Sequence, residues 1–101
     1  MSKLFTPYKL GNLPLRNRIA IAPMCQYSAN DGSATDWHMM HLGHLALSGA
    51  GLLTIEATAV EAEGRISWGD LGLYSRDNTD ALAKVVDAAK RYGNVPIAIQ
   101  L

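Results

Sequence analysis

The only cysteine of the chain, Cys25, stands in the stretch RIAIAPMCQYSA, directly after a Pro-Met pair where an apolar run ends. A thiol becomes a nucleophile when a neighbouring cation or base activates it, and no cation lies close to Cys25 in sequence. The residues alone therefore allow a small buried hydrophobe as readily as a reactive group. Gln100 follows another apolar run, and an amide in line with a buried strand must satisfy both its carbonyl and its NH₂. A planar heterocycle with adjacent donor and acceptor would do so, and so would neighbouring main chain. Tyr27 and Glu56 are open in the same way, as a half-buried aromatic and a structural carboxylate or as parts of a site.

Other chemistries find less support. His38, His41 and His44 are spaced i, i+3 and i+6, which spreads them over about 120° of a helix surface, so they cannot converge on one ion. No metal site is expected. Gly64, Gly69 and Gly72 are isolated, and no GxGxxG or Walker pattern opens a helix. Nine basic and nine acidic residues cancel among 101, which offers no electrostatic footprint for nucleic acid or an anionic membrane. A small neutral or compact anionic ligand suits this balance. No apolar run approaches the ~18 residues of a membrane span, and the first eight residues lack the apolar core of a secretory signal. The expected compartment is cytoplasmic.

These residues need elements to position them. Residues 4–15 read as a small hairpin, with Gly11-Asn12 at the turn and Pro7 and Pro14 opposing a helix. Ile19-Ala20-Ile21-Ala22 is a short strand bounded by Pro23. A polar loop containing Asp31-Gly32 leads to a helix capped by Thr35 or Asp36, with His38, Leu42, Leu45, Ala46 and Gly49 on one stripe and Gly49 and Gly51 ending it. Leu52-Leu53-Thr54-Ile55 is a second strand, apolar enough to be covered on both faces. A long loop over residues 57–74 precedes a helix starting near Asp77 or Asn78. That helix buries Leu82, Val85, Val86 and Ala89, pairs Asp80 with Lys84 and Asp87 with Arg91 outside, and stops with Gly93 at C′. Residues 95–99 form the third strand.

The order hairpin, β, α, β, α, β, with long connections, specifies an α/β fold with a parallel sheet. Its three strands end at Pro23-Met24-Cys25-Gln26-Tyr27, Glu56-Ala57-Thr58 and Gln100, and ligands of such sheets sit at the carboxyl ends of the strands. Three strands with two helices leave apolar faces and edges uncovered, so this is expected to be the opening of something larger. A complete (β/α)₈ barrel takes ~250 residues.

The blocks LRNRIAIAPMCQY, DWHMMHLGHLALSGAGLLTIEATAV, EGRISWGDLGLYS and IAIQL resemble consecutive segments of the Old Yellow Enzyme family, flavin-dependent ene-reductases, over nearly the whole chain. The cysteine after Pro-Met resembles the thermophilic-like and xenobiotic-reductase branch. The resemblance implies the N-terminal part of a (β/α)₈ TIM barrel, with residues 1–17 a hairpin arm and 18–101 the first three strands and two helices. It implies FMN as cofactor, with Ala22, Pro23, Met24 and Cys25 lining the ring, Ala57 touching it through main chain, and Gln100 pairing with its pyrimidine edge. Cys25 would then tune the flavin rather than attack. Tyr27 would reach over the ring toward the substrate as the catalytic position of this segment. Arg16-Asn17-Arg18 would be a structural network at the barrel base.

The implied reaction is a ping-pong cycle in which hydride passes from NADPH or NADH to FMN and then to the β-carbon of an activated alkene, by a protein that forms a homo-oligomer when full length. The family's histidine pair or His-Asn pair for the substrate carbonyl, its proton donor and its phosphate loops would lie beyond Leu101. The 101 residues alone are thus expected to be inactive, a non-catalytic truncated fragment or half-domain needing a complementary chain. A third reading is a barrel flavoprotein related to dihydroorotate- or dihydrouridine-oxidising enzymes.

Overall fold

A computed structural model describes residues 2–101; Met1, the first residue of the expected arm, lies outside them. The arm is the expected hairpin, β1 (Tyr8–Leu10) paired antiparallel with β2 (Leu13–Leu15). Its turn needs the left-handed backbone that Gly11 supplies at φ +59°. Strands β3 (Ala20–Ile21), β4 (Leu52–Ile55) and β7 (Ile97–Ile99) form a parallel sheet in that order. Helix α1 (Asp36–Ala46) connects the first two, and α2 (Arg76–Gly93) lies between the second and third.

Both helices cover the same face of the sheet. Leu42 and Ala46 of α1 and Leu82, Val85 and Ala89 of α2 cluster with Leu53 and Ile55 of β4 and with Val95. Full burial of a Leu or Val side chain contributes roughly 1.5–3 kcal/mol, so this cluster is what holds the helices to the strands. Burial along β4 alternates, with Leu53 and Ile55 inside and Leu52 and Thr54 half-buried. Coverage on both faces was expected and is not observed, because both helices pack on one side.

Several local features differ from the expected ones. The loop expected over residues 57–74 holds a second, two-stranded parallel sheet, β5 (Thr58–Ala59) with β6 (Leu71–Gly72), and a 3₁₀ turn at Ala62–Gly64. Helix α2 starts at Arg76 because the Ser75 side chain accepts Asn78 N–H at 3.1 Å, a better cap than Asp77 or Asn78. Gly93 is the last helical residue, and Asn94 takes the left-handed cap at φ +49°. Gly93 is there for space, since a Cβ would stand 2.5 Å from Ala46 O of α1. Val86 is half-buried, and neither Asp80/Lys84 nor Asp87/Arg91 forms an ion pair among the described residues. Likewise, Gly49 lies beyond α1, exposed at φ +91°, and does not continue its buried stripe.

At the amino-terminal end of the sheet, Arg16 donates to Ala50 O and Asn17 Nδ2 to Gly49 O at 2.8 Å, while Asn17 Oδ1 accepts Ile19 N–H at 3.0 Å. Arg18 lies over the Tyr8 ring, 5.1 Å from its centroid. The expected structural network at this end is present.

Candidate functional site

The carboxyl ends of β3, β4 and β7 stand side by side, and hydrogen bonds tie each to the next. Gln26 N–H, after β3, donates to Glu56 Oε1, after β4, at 3.3 Å. Gln100 N–H, after β7, donates to Ile55 O at 3.2 Å, and Thr58 N–H donates to Gln100 O at 2.8 Å. One rim therefore carries Ala22, Pro23, Met24 and Cys25, then Ala57, then Gln100. Ala57 and Gln100 also line one cavity of about 380 Å³ with Thr58, Ala59, Gly64 and Ile66, within the size range of small-molecule sites. Cys25 and Tyr27 flank the rim without lining that cavity.

Exposure separates these residues. Cys25 is half-buried at the rim rather than enclosed in the core. Ala22 and Met24 are exposed, Pro23 and Ala57 half-buried. Gln100 is exposed, against the expectation of a buried amide, because β7 is an edge of the sheet and no strand among the described residues covers its far side. Tyr27 is 65% exposed with φ +54°, a conformation a tyrosine rarely adopts without support. The support is Gly69, whose missing Cβ would stand 2.6 Å from Tyr27 C and O, and whose carbonyl accepts Ala29 N–H at 2.9 Å.

The loop opposite is equally fixed. Asp70 is buried and accepts Ile66 N–H at 2.8 Å and the Ser67 hydroxyl at 2.7 Å. Asn78, 1% exposed, donates to Asp31 O and Ser33 Oγ and accepts Tyr74 N–H, joining α2 to the loop before α1. Arg65 reaches Asp31 at 3.4 Å and lies over Trp68 and Tyr74. Burial, with the hydrogen bond to Asp31, raises the Tyr74 hydroxyl above its ordinary range.

The three histidines lie in different surroundings, and no group of three or more His, Cys, Asp or Glu that could hold a metal is found among the described residues. His44 is exposed. His41 stacks on Trp37, centroids 6.5 Å apart, and burial lowers its imidazole below the usual histidine range, opposed by Glu56 and aided by His38 and His44. His38 is fully buried and accepts Thr35 N–H on Nδ1 at 2.9 Å, closing the first turn of α1. Sequence reasoning missed that it faces Glu56, Nε2 to Oε2 3.7 Å, and missed Gly69; neither has a signal in local spacing.

Residues 3–101 match the model of the NADH:flavin oxidoreductase / NADH oxidase family. The chain belongs to this family. Among its relatives, an NADPH dehydrogenase of Listeria monocytogenes serotype 4b is 50% identical over 95 residues, covering 92% of this chain and 28% of that protein. Morphinone reductase superposes with a TM-score of 0.86 at 31% identity, over 97% of this chain and 25% of that one. Old Yellow Enzyme from Pichia sp. AKU4542 superposes with a TM-score of 0.88 at 28% identity, over 98% and 26%. The chain spans about a quarter of the length of these relatives, and its α/β architecture is that of a part of an Old Yellow Enzyme barrel.

Membership in a flavin oxidoreductase family poses a test for the rim: whether it can hold a flat, polar-edged ring. The main-chain N–H groups of Met24, Cys25 and Ala57 have no hydrogen-bond partner among the described residues, and neither has the side-chain amide of Gln100. Ala57 and Gln100 bring spare donors to the cavity they line, and Met24 and Cys25 bring theirs to the adjoining rim, a donor set of the kind such a ring needs. The residues fit the group.

Proposed function

We propose that these residues hold the ring of FMN at the carboxyl rim of the sheet, in an NAD(P)H:enoate oxidoreductase acting on small activated alkenes. The single observation that carries this is the juxtaposition of the Met24-Cys25 loop, Ala57 and Gln100 across three hydrogen-bonded strand ends. FMN, when bound, supplies the hydride chemistry. The chain supplies orientation: Gln100 offers donor and acceptor to a ring edge, Ala57 its main chain, and Ala22 and Pro23 the apolar floor beneath.

Cys25 tunes the ring in this reading, since a thiol is a weaker hydrogen-bond donor than a hydroxyl. Tyr27, exposed and held from behind by Gly69, stands ready for the substrate. Two features support a second reading, that these residues work only when joined to further polypeptide. Ile97 and Ile99 of β7 are half-exposed beside a groove of about 430 Å³, and the relatives are some four times longer.

The test is purification with FMN followed by NADPH oxidation with cyclohexenone. A yellow protein whose NADPH consumption depends on the enone is expected, and Cys25→Ser should move the flavin midpoint potential without abolishing binding. Colourless protein after FMN addition, with no enone-dependent turnover, refutes the proposal for these residues by themselves and leaves the second reading, which the same assay on these residues joined to further polypeptide then decides.

A further inference from the structure

The His38–Glu56 pair is left over by the site as described. Both side chains are buried, to 0% and 1% exposure, and His38 Nε2 and Glu56 Oε2 are the two buried side-chain atoms without a hydrogen-bond partner among the described residues. Unpaired buried polar atoms are costly, so two of them facing each other call for a role. Their directions are fixed by what the other ends do. Thr35 N–H donates to His38 Nδ1, which leaves Nε2 as the N–H of a neutral ring, aimed at Glu56. Glu56 Oε1 takes Gln26 N–H, and Ala57 follows Glu56 in the chain.

Resting on the FMN reading above, we propose that His38 and Glu56 are a buried positioning pair. His38, anchored on the first turn of α1, holds the Glu56 carboxyl group so that it ties the Met24-Cys25-Gln26 backbone to the flavin-facing end of β4. The Nε2 to Oε2 separation of 3.7 Å exceeds a hydrogen bond by about 0.7 Å, within reach of a small side-chain adjustment. Neither residue touches the ring. Their effect passes through the unpartnered N–H groups of Met24 and Cys25: donors held toward the bound ring would favour its reduced form, because reduction adds electron density to it. A slack loop would weaken that preference.

The variants separate the links. His38→Asn keeps an acceptor for Thr35 N–H and has nothing that reaches Glu56; His38→Gln carries a donor far enough out to restore the contact. Glu56→Gln keeps the shape but offers one amide oxygen to two N–H groups. In flavin-loaded protein, His38→Asn and Glu56→Gln should each weaken the preference for reduced over oxidised ring about tenfold, a fall of about 30 mV in two-electron midpoint potential. His38→Gln should recover most of it. In protein without flavin, Gln26 amide exchange should quicken about tenfold in the first two variants.

A potential equal to wild type in both variants that bind flavin overturns the proposal, whatever happens to thermal stability. Should His38→Asn fail to fold, the near-isosteric Glu56→Gln decides alone. If wild-type protein takes up no FMN, the proposed function fails for these residues by themselves and the pair is judged on Gln26 exchange: tenfold faster supports the tether, unchanged overturns it.

Discussion

Adding one methyl group at Gly69 should disturb Tyr27 and little else. A Cβ there would lie 2.6 Å from Tyr27 C and O, about 0.8 Å inside ordinary contact, and 2.9 Å from its Cα, about 0.5 Å inside it, and all three are backbone atoms that cannot rotate away. Tyr27 is already in the left-handed region, and the same Gly69 residue accepts Ala29 N–H, so the strand of chain it presses on has little freedom to retreat. Overpacking of this kind costs about 1–3 kcal/mol. Gly69→Ala should therefore lose that much stability in urea unfolding. Gly64→Ala, where a Cβ meets nothing within 4 Å, is the matched control and should stay within about 0.5 kcal/mol of wild type. Under the proposed function, in flavin-loaded protein the displaced Tyr27 should raise KM for the alkene about tenfold, equivalent to about 1.4 kcal/mol, while FMN affinity, which that proposal assigns to Ala57 and Gln100, should change less than about twofold on the same scale. Wild-type stability in Gly69→Ala refutes the close approach; a lost FMN affinity with unchanged KM refutes the division of labour.

Three further outcomes follow from the geometry. Asn78→Ala removes a buried side chain that serves Asp31 O, Ser33 Oγ and Tyr74 N–H, and should cost on the order of 3 kcal/mol in chemical denaturation. Ser75→Ala should cost about 1 kcal/mol and Ser75→Gly only a few tenths, because the hydroxyl caps Asn78 N–H. His41, lowered by burial in the folded chain, binds fewer protons there than when unfolded. Stability should therefore rise with pH through the window just below about 6.5. An NMR titration should place His41 below the ordinary histidine value of about 6.5, and His41→Asn should flatten that part of the pH profile.

How far the sequence led depended on whether each feature is written locally. The Gly11-Asn12 turn, the apolar run Leu52–Ile55 and the stripe Leu82, Val85, Ala89 are periodic or local signals, and all three are where their residues put them. The gathering of Cys25, Ala57 and Gln100 followed from parallel topology alone, since parallel strands end on one side. Strands β5 and β6 were not legible because two residues carry no period and the loop between them, residues 60–70, is long. The exposure of Gln100 was missed because strand composition does not say which strand is an edge. The His38–Glu56 pair joins a helix to a strand end eighteen positions away, a contact that only folding reveals.

The central claim is that one flavin ring meets the chain at the rim formed by Cys25, Ala57 and Gln100. Titrating FMN into the isotopically labelled protein and following backbone amides measures this directly. The expected result is that the amides of Cys25, Ala57 and Gln100 move together with one binding midpoint, while Asn17 and Ala50 at the opposite end of the sheet stay still. Stationary rim amides, with the shifts at Asn17 and Ala50 instead, would contradict it.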